Sequence, residues 1–196
     1  MKVLRWVGFV ALLAAGCAQP GNGSEGRPSE PPKTPTKAPP QARKVVVRSP
    51  NWSLPIDERA KSQLSEAARA ELARAPVPML VVDEPALLRA AIVTTGPHWA
   101  ALSAKDGGLT VVLHGTRLAH DYPEIPEARG KSLVRGRPAF VTENEGIVSA
   151  SWLEDGVAYS LELECFERSD ARCQGDGHLL VLAERLRFVG GEGSSK

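Results

Sequence analysis

The chain has 196 residues, of which 42% are hydrophobic and 24% charged, and its formal net charge is +1. That length suits one ordinary domain with appendages, and the apolar content suffices for a packed core. A charge this close to zero supplies no broad positive field, so nucleic acid is not expected as a partner.

In chain order, Lys2 and Arg5 precede an apolar run from Trp6 to Ala15, which is the arrangement of a secretory signal. The run is too short for a permanent membrane-spanning helix. The next residues, Leu13-Ala14-Ala15-Gly16-Cys17, place small side chains before a cysteine and resemble the bacterial lipoprotein signal, with alanine in place of leucine three positions before Cys17. The resemblance implies that residues 1–16 are removed and that Cys17 becomes a lipidated, palmitate-bearing N-terminus. It also implies a membrane anchor in the bacterial cell envelope. Ala18, rather than aspartate, after the cysteine resembles the sorting pattern of Gram-negative lipoproteins and implies the outer membrane, facing the periplasm. The alternative is an ordinary signal peptide cut near Ala18, with Cys17 discarded.

Residues 17–50 hold half of the chain's 16 prolines among Gly, Ser, Thr, Lys, Glu and Gln. So little apolar surface does not offset the entropy of ordering, and a disordered tether is expected. Extended, it reaches roughly 100 Å at about 3.1 Å per residue. Val45-Val46-Val47 is either a first ordered strand or an apolar interruption of that tether.

A globular domain is expected over residues 51–191, followed by a flexible tail over 192–196. The spacing of Ala60, Leu64, Ala67, Ala68, Leu72 and Ala75 predicts a single helix from Asp57 to Ala75, stopped by Pro76 and Pro78. Met79 to Asp83 reads as a buried strand and Pro85 to Ala91 as a helical turn. His98 to Lys105 and Gly108 to Thr116 form a hairpin turning at Asp106-Gly107, which sets Leu102 opposite Val111 and Ala100 opposite Leu113. Arg117 to Gly136 is rich in Pro, Gly and charge and reads as a long surface loop.

The strongest local signal lies between Ile147 and Cys165, where Asp155-Gly156 separates two alternating runs and favours a type I′ turn. In that register Trp152 faces Tyr159, Ala150 faces Leu161, Val148 faces Leu163 and Glu154 faces Val157. Ser149, Ser151, Ser160, Glu162 and Glu164 fall on the opposite face. Pro138 to Thr142 adds a third strand through a turn at Asn144 to Gly146. After Cys173, Asp176 is placed to cap a helix carrying Leu179, Leu182, Ala183 and Leu186 on one face, with Gly190-Gly191 ending it. The expected class is α+β: one domain of antiparallel hairpins and a meander, with an N-terminal and a C-terminal helix packed on the sheet.

Three cysteines in an exported chain leave one pair once Cys17 takes lipid, so Cys165 and Cys173 are expected to form a disulfide. Closing so short a loop is worth about 2–3 kcal/mol in the chain-entropy model.

Trp152-x-x-x-Gly156-x-x-Tyr159-x-Leu161, followed by Leu179-x-x-Leu182-Ala183-x-x-Leu186, resembles the end of an uncharacterised bacterial extracytoplasmic domain family found in anti-sigma-factor-like membrane proteins. The resemblance covers the last quarter of the chain, the Cys165 to Cys173 insertion departs from it, and it carries no functional residues.

Chemistry is poorly specified. His114, His120 and Asp121, with His98 near His114 across the hairpin, are the candidates for a metal or catalytic site, yet no HExxH spacing unites them. Neither a GxSxG turn nor an SxxK pair is present. Glu143 with Glu145, and Glu162 with Glu164, lie on polar positions where solvation explains them. Arg129, Lys131, Arg135 and Arg137 form a basic cluster suited to phospholipid headgroups or an acidic cell-wall polymer, and Trp52 and Trp99 are aromatic candidates for a patch. The resulting expectation is a membrane-anchored envelope lipoprotein with a non-catalytic binding domain, monomeric, without a metal or cofactor, and meeting an envelope protein or cell-wall partner. The alternatives are a periplasmic enzyme built on the His/Asp group and a carrier holding an apolar ligand between sheet and helix.

Overall fold

In a computed structural model, residues 44–121, 129–167 and 169–195 are described. The signal segment, Cys17 and most of the tether lie outside the described residues. Strands β1 (Lys44–Val47) and β2 (Met79–Val82) are followed by β3 (Ile92–Gly96), β4 (Trp99–Asp106), β5 (Leu109–Thr116), β6 (Leu118–Asp121), β7 (Ser132–Val134), β8 (Arg137–Asn144), β9 (Ile147–Glu154), β10 (Val157–Cys165) and β11 (Leu186–Gly190). The helices are α1 (Glu58–Ser62), α2 (Glu66–Leu72), α3 (Pro85–Ala90) and α4 (Gly177–Glu184). The fold is mixed α+β and dominated by antiparallel sheet.

Seven strands form one sheet in the order β3-β4-β5-β10-β9-β8-β7, so the two hairpins read separately in the sequence are joined through β5 and β10. Asp155 and Gly156 both take positive φ, and the pairs Glu154 with Val157, Trp152 with Tyr159, Ala150 with Leu161 and Val148 with Leu163 stand as expected. In the other hairpin Leu102 faces Leu113 and Ala100 faces Gly115, a register two residues from the expected one. The turn is Gly107-Gly108 rather than Asp106-Gly107, since both glycines adopt positive φ without a Cβ to oppose it. A shift of two keeps every side chain on its own face, so Ala100, Leu102, Ala104, Leu109, Val111 and Leu113 are all buried together.

The inner face of this sheet is the core. A ribbon of β2 and β11 lies beneath it, and the four residues of β2 are all buried, which is why that strand is a continuous apolar run. The Tyr159 hydroxyl donates to the Pro78 carbonyl at 2.5 Å and ties the two layers together. Helix α2 lies against β3, and α3 lies against β4. Thr95 of β3 donates to Glu71 of α2, and Arg74 pairs with the same carboxylate; both hold Glu71 below its ordinary pKa, Thr95 foremost.

Further expectations are corrected. The single helix from Asp57 to Ala75 is two, because Ser65 accepts a hydrogen bond from the Ala68 amide at 3.1 Å and starts a second helix. Arg69 of that helix donates to the Leu64 carbonyl at 2.7 Å, capping the break from the other side. Ala60, Leu64, Ala68, Leu72 and Ala75 keep their buried face, whereas Ala67 is exposed. The helix after Cys173 ends at Glu184, so Leu186 belongs to β11, opposite Val82, and Gly190-Gly191 closes a strand. Helical and extended readings of such a short apolar run are not separated by spacing alone. Asp176 makes no side-chain capping bond. Finally, the stretch from Arg117 to Gly136 contains β6 and β7 rather than loop alone. β6 pairs with β1, so Val45-Val46-Val47 is a strand and ordered structure begins within the stretch assigned to the tether. The tail contains a short 3₁₀ turn at Glu192–Ser195, and the Trp52 ring packs against Gly193.

Candidate binding face

The outer face of the seven-stranded sheet is the part of the domain where side chains meet solvent in an ordered array. Adjacent strands are in register, so their outward residues form rows. Nearest the Asp155-Gly156 turn, one row runs Leu133, Pro138, Leu153, Ala158, Thr116 and Trp99, with Leu153 set beside Pro138 by continuation of the β8–β9 register. The next row holds Phe140, Ser151, Ser160, His114, Ala101 and Thr94. Leu133 is 64% exposed, Phe140 49% and Leu153 48%, so apolar side chains at strand positions stand in water.

Between them lies an open cleft of about 340 Å³, walled by Pro138, Phe140, Leu153 and Ala158 and flanked by Arg129 and Gly130. Gly130 lies so close over β8 that a Cβ there would sit 1.9 Å from the Ala139 carbonyl oxygen, so only glycine permits the chain to pass.

The cleft floor is braced from below. Trp152 and Tyr159 stack on the buried face with centroids 5.5 Å apart. The Trp152 indole donates to Glu154 Oε2 at 2.9 Å. Arg135 Nε donates to both oxygens of the same carboxylate, at 3.1 and 3.0 Å, and its Nη1 donates to the Leu186 carbonyl at 2.6 Å. Burial, reinforced by the charges of Glu154 and Asp155, pushes the Tyr159 phenol far above its ordinary pKa, so it stays a hydrogen-bond donor to Pro78.

The basic cluster is therefore divided by the fold. Arg135 is drawn into this brace, while Arg129, Lys131 and Arg137 remain exposed at the same end of the sheet. Sequence reading located the cluster and missed the cleft beside it, because Pro138, Phe140, Leu153 and Ala158 come together only through lateral strand pairing.

The histidines are placed differently from a metal site. His98 Nδ1 accepts from Arg117 Nε at 3.3 Å, His114 packs against Trp99 with ring centroids 5.7 Å apart, and His120 lies on β6 opposite Val45. Among the described residues no group of three or more His, Cys, Asp or Glu is arranged to hold a metal ion. Trp99 lies over Gly96 as well as His114, so it is a packed outer-face residue rather than an isolated patch.

At the opposite end of the sheet, Glu143, Glu145 and Glu164 border a second open cleft beside Cys165 and Cys173, whose sulfurs are at disulfide distance, 2.05 Å. Asp170, between those cysteines, is held at about 2 by its hydrogen bonds with Arg172, which also reaches the Gly107 carbonyl at 2.9 Å and fastens the loop to the β4–β5 turn. Beneath α3, the space between Leu87, Leu88, Leu102 and Val111 amounts to about 10 Å³, less than an apolar ligand needs. No helix among the described residues is long and apolar enough to cross a membrane.

No family model matches this chain, and neither the curated proteins nor the solved structures contain a match.

Proposed function

We propose that this protein is a bacterial envelope lipoprotein, anchored through Cys17 in the outer membrane on its periplasmic side, whose domain is a non-catalytic, monomeric binding module. The cleft between Phe140 and Leu153 carries the binding reading: an apolar depression with a basic border, built from strand residues on the outer sheet face. Rigid strands hold such a surface ready, so little ordering entropy opposes binding there. The lipoprotein-like tract ending at Cys17 supports the anchor. The Cys165–Cys173 pair supports export, since a disulfide persists in an oxidising compartment. A tether over residues 17–43 gives the anchored domain reach and raises its effective concentration near envelope components.

The test is complementation of a deletion strain with full-length variants. Phe140→Ser with Leu153→Ser, and separately Cys17→Ser, are expected to abolish complementation. His114→Ala, His120→Ala and Asp121→Ala together are expected to retain it. The reverse pattern, loss with the His/Asp variant and retention with the cleft variant at equal protein levels, contradicts the proposal and favours an enzyme.

A further inference from the structure

The net charge of +1 conceals a strong asymmetry along the strands. At the end of the sheet beside the Asp155-Gly156 turn stand Arg129 and Lys131, both exposed, on the side of Leu133, Phe140 and Leu153. Arg137, also exposed, stands at the rim of the same end, where alternation along β8 puts it on the face opposite Pro138 and Phe140. The two outer-face rows nearest that end contain no carboxylate; the first is Glu162, in the third row, opposite Val112. Of the neighbouring acids among the described residues, Glu154 is paired with Arg135, and Asp155 lies partly buried in the turn. The far end is acidic, with Glu143, Glu145 and Glu164 around its cleft.

We propose that the basic, apolar end docks on a bilayer containing anionic phospholipid. The headgroups meet Arg129, Lys131 and Arg137, while Leu133, Phe140 and Leu153 enter the interfacial layer. Three observations select this occupant. The charges complement an anionic surface, and the acidic far end orients the domain by being repelled from it. The exposed apolar side chains spread over β7, β8 and β9 around a shallow cleft, which suits a broad interface better than an enclosed small molecule. The chain also enters the domain at this end: the Arg48 amide donates to the Arg117 carbonyl at 2.8 Å and the Asn51 amide to the Asp155 carbonyl at 2.9 Å, with 43 residues before Lys44. Under the anchor reading above, on which this argument rests, the tether and the docking end then face the same membrane, and a weak contact suffices because the domain is held nearby.

The test uses residues 17–196 carrying Cys17→Ser, so that neither acylation nor the basic and apolar residues 1–16 play a part. Its sedimentation is measured with phosphatidylcholine vesicles and with vesicles of phosphatidylcholine mixed equally with phosphatidylglycerol. Preference for the anionic vesicles is expected at roughly 100-fold, about fivefold for each basic side chain near the surface. Arg129→Gln with Lys131→Gln and Arg137→Gln removes that preference, and raised salt weakens it. Phe140→Ser with Leu153→Ser lowers binding to both vesicle types. Glu143→Gln with Glu145→Gln, at the far end, does not reduce the preference. All these positions are exposed, and circular dichroism checks that each variant is folded. Equal binding to both vesicle types, or a preference that survives the three glutamine substitutions, overturns the proposal. Salt-sensitive self-association without vesicles overturns it in favour of a second copy joining basic to acidic end. A protein that is not acylated in cells yet passes this test refutes the anchor and leaves the docking surface standing.

Discussion

Replacing Trp152 by alanine is expected to lower the unfolding free energy by about 3–5 kcal/mol, the range for removing a large buried aromatic side chain. Trp152 is 3% exposed, lies between β8 and β10 partners on the core face, and stacks on Tyr159. Its removal leaves a cavity beneath the cleft floor and deprives Glu154 of the indole donor. Trp152→Phe separates these contributions: most of the apolar area remains, the hydrogen bond does not, and a loss of about 1–2 kcal/mol is expected. Urea unfolding followed by far-UV circular dichroism measures both. A loss below about 1 kcal/mol for the alanine variant would contradict a buried Trp152, given the usual cost of such truncations.

The second large effect is expected at Arg135. Its guanidinium grips a Glu154 carboxylate that is only 10% exposed and also joins β7–β8 to the Leu186 carbonyl of β11. Arg135→Met leaves that carboxylate without its cation and the carbonyl without its donor. The expected loss is about 3 kcal/mol, at the lower end for breaking a buried pair because Arg135 itself is partly exposed. In the Arg135→Met background, Glu154→Gln restores much of the loss, since glutamine accepts from Trp152 without carrying a charge. A double-mutant cycle should therefore give a coupling of about 1–3 kcal/mol. Additive losses would mean that the two side chains act independently.

The brace and the cleft above it show which parts of the molecule are legible in the sequence. Asp155-Gly156 and the alternation around it specify one register twice over, and the structure has that register. Asp106-Gly107-Gly108 offers two overlapping turn pairs, so alternation identified the buried face while the turn moved by one residue and the register by two. β3, β6, β7 and β11 are three to five residues long and carry too short a pattern to stand out. Leu186 shows the ambiguity most plainly, since it continues the helical spacing of Leu179 and Leu182 yet pairs with Val82. The basic cluster was visible as a run, but its division was not. Glu154, which withdraws Arg135 from solvent, is 19 residues away and arrives through strand pairing.

The central claim, an exported domain held by Cys17 and carrying a Cys165–Cys173 disulfide, is tested most directly by the intact mass of the protein purified from the envelope fraction under non-reducing conditions. The account predicts a chain beginning at Cys17, heavier than its amino-acid sequence by a diacylglyceryl group and an amide-linked fatty acid, and lighter by two hydrogens that return on reduction. A mature chain that starts beyond Cys17, or one that retains residues 1–16 without lipid and shows two free thiols at Cys165 and Cys173, would contradict it.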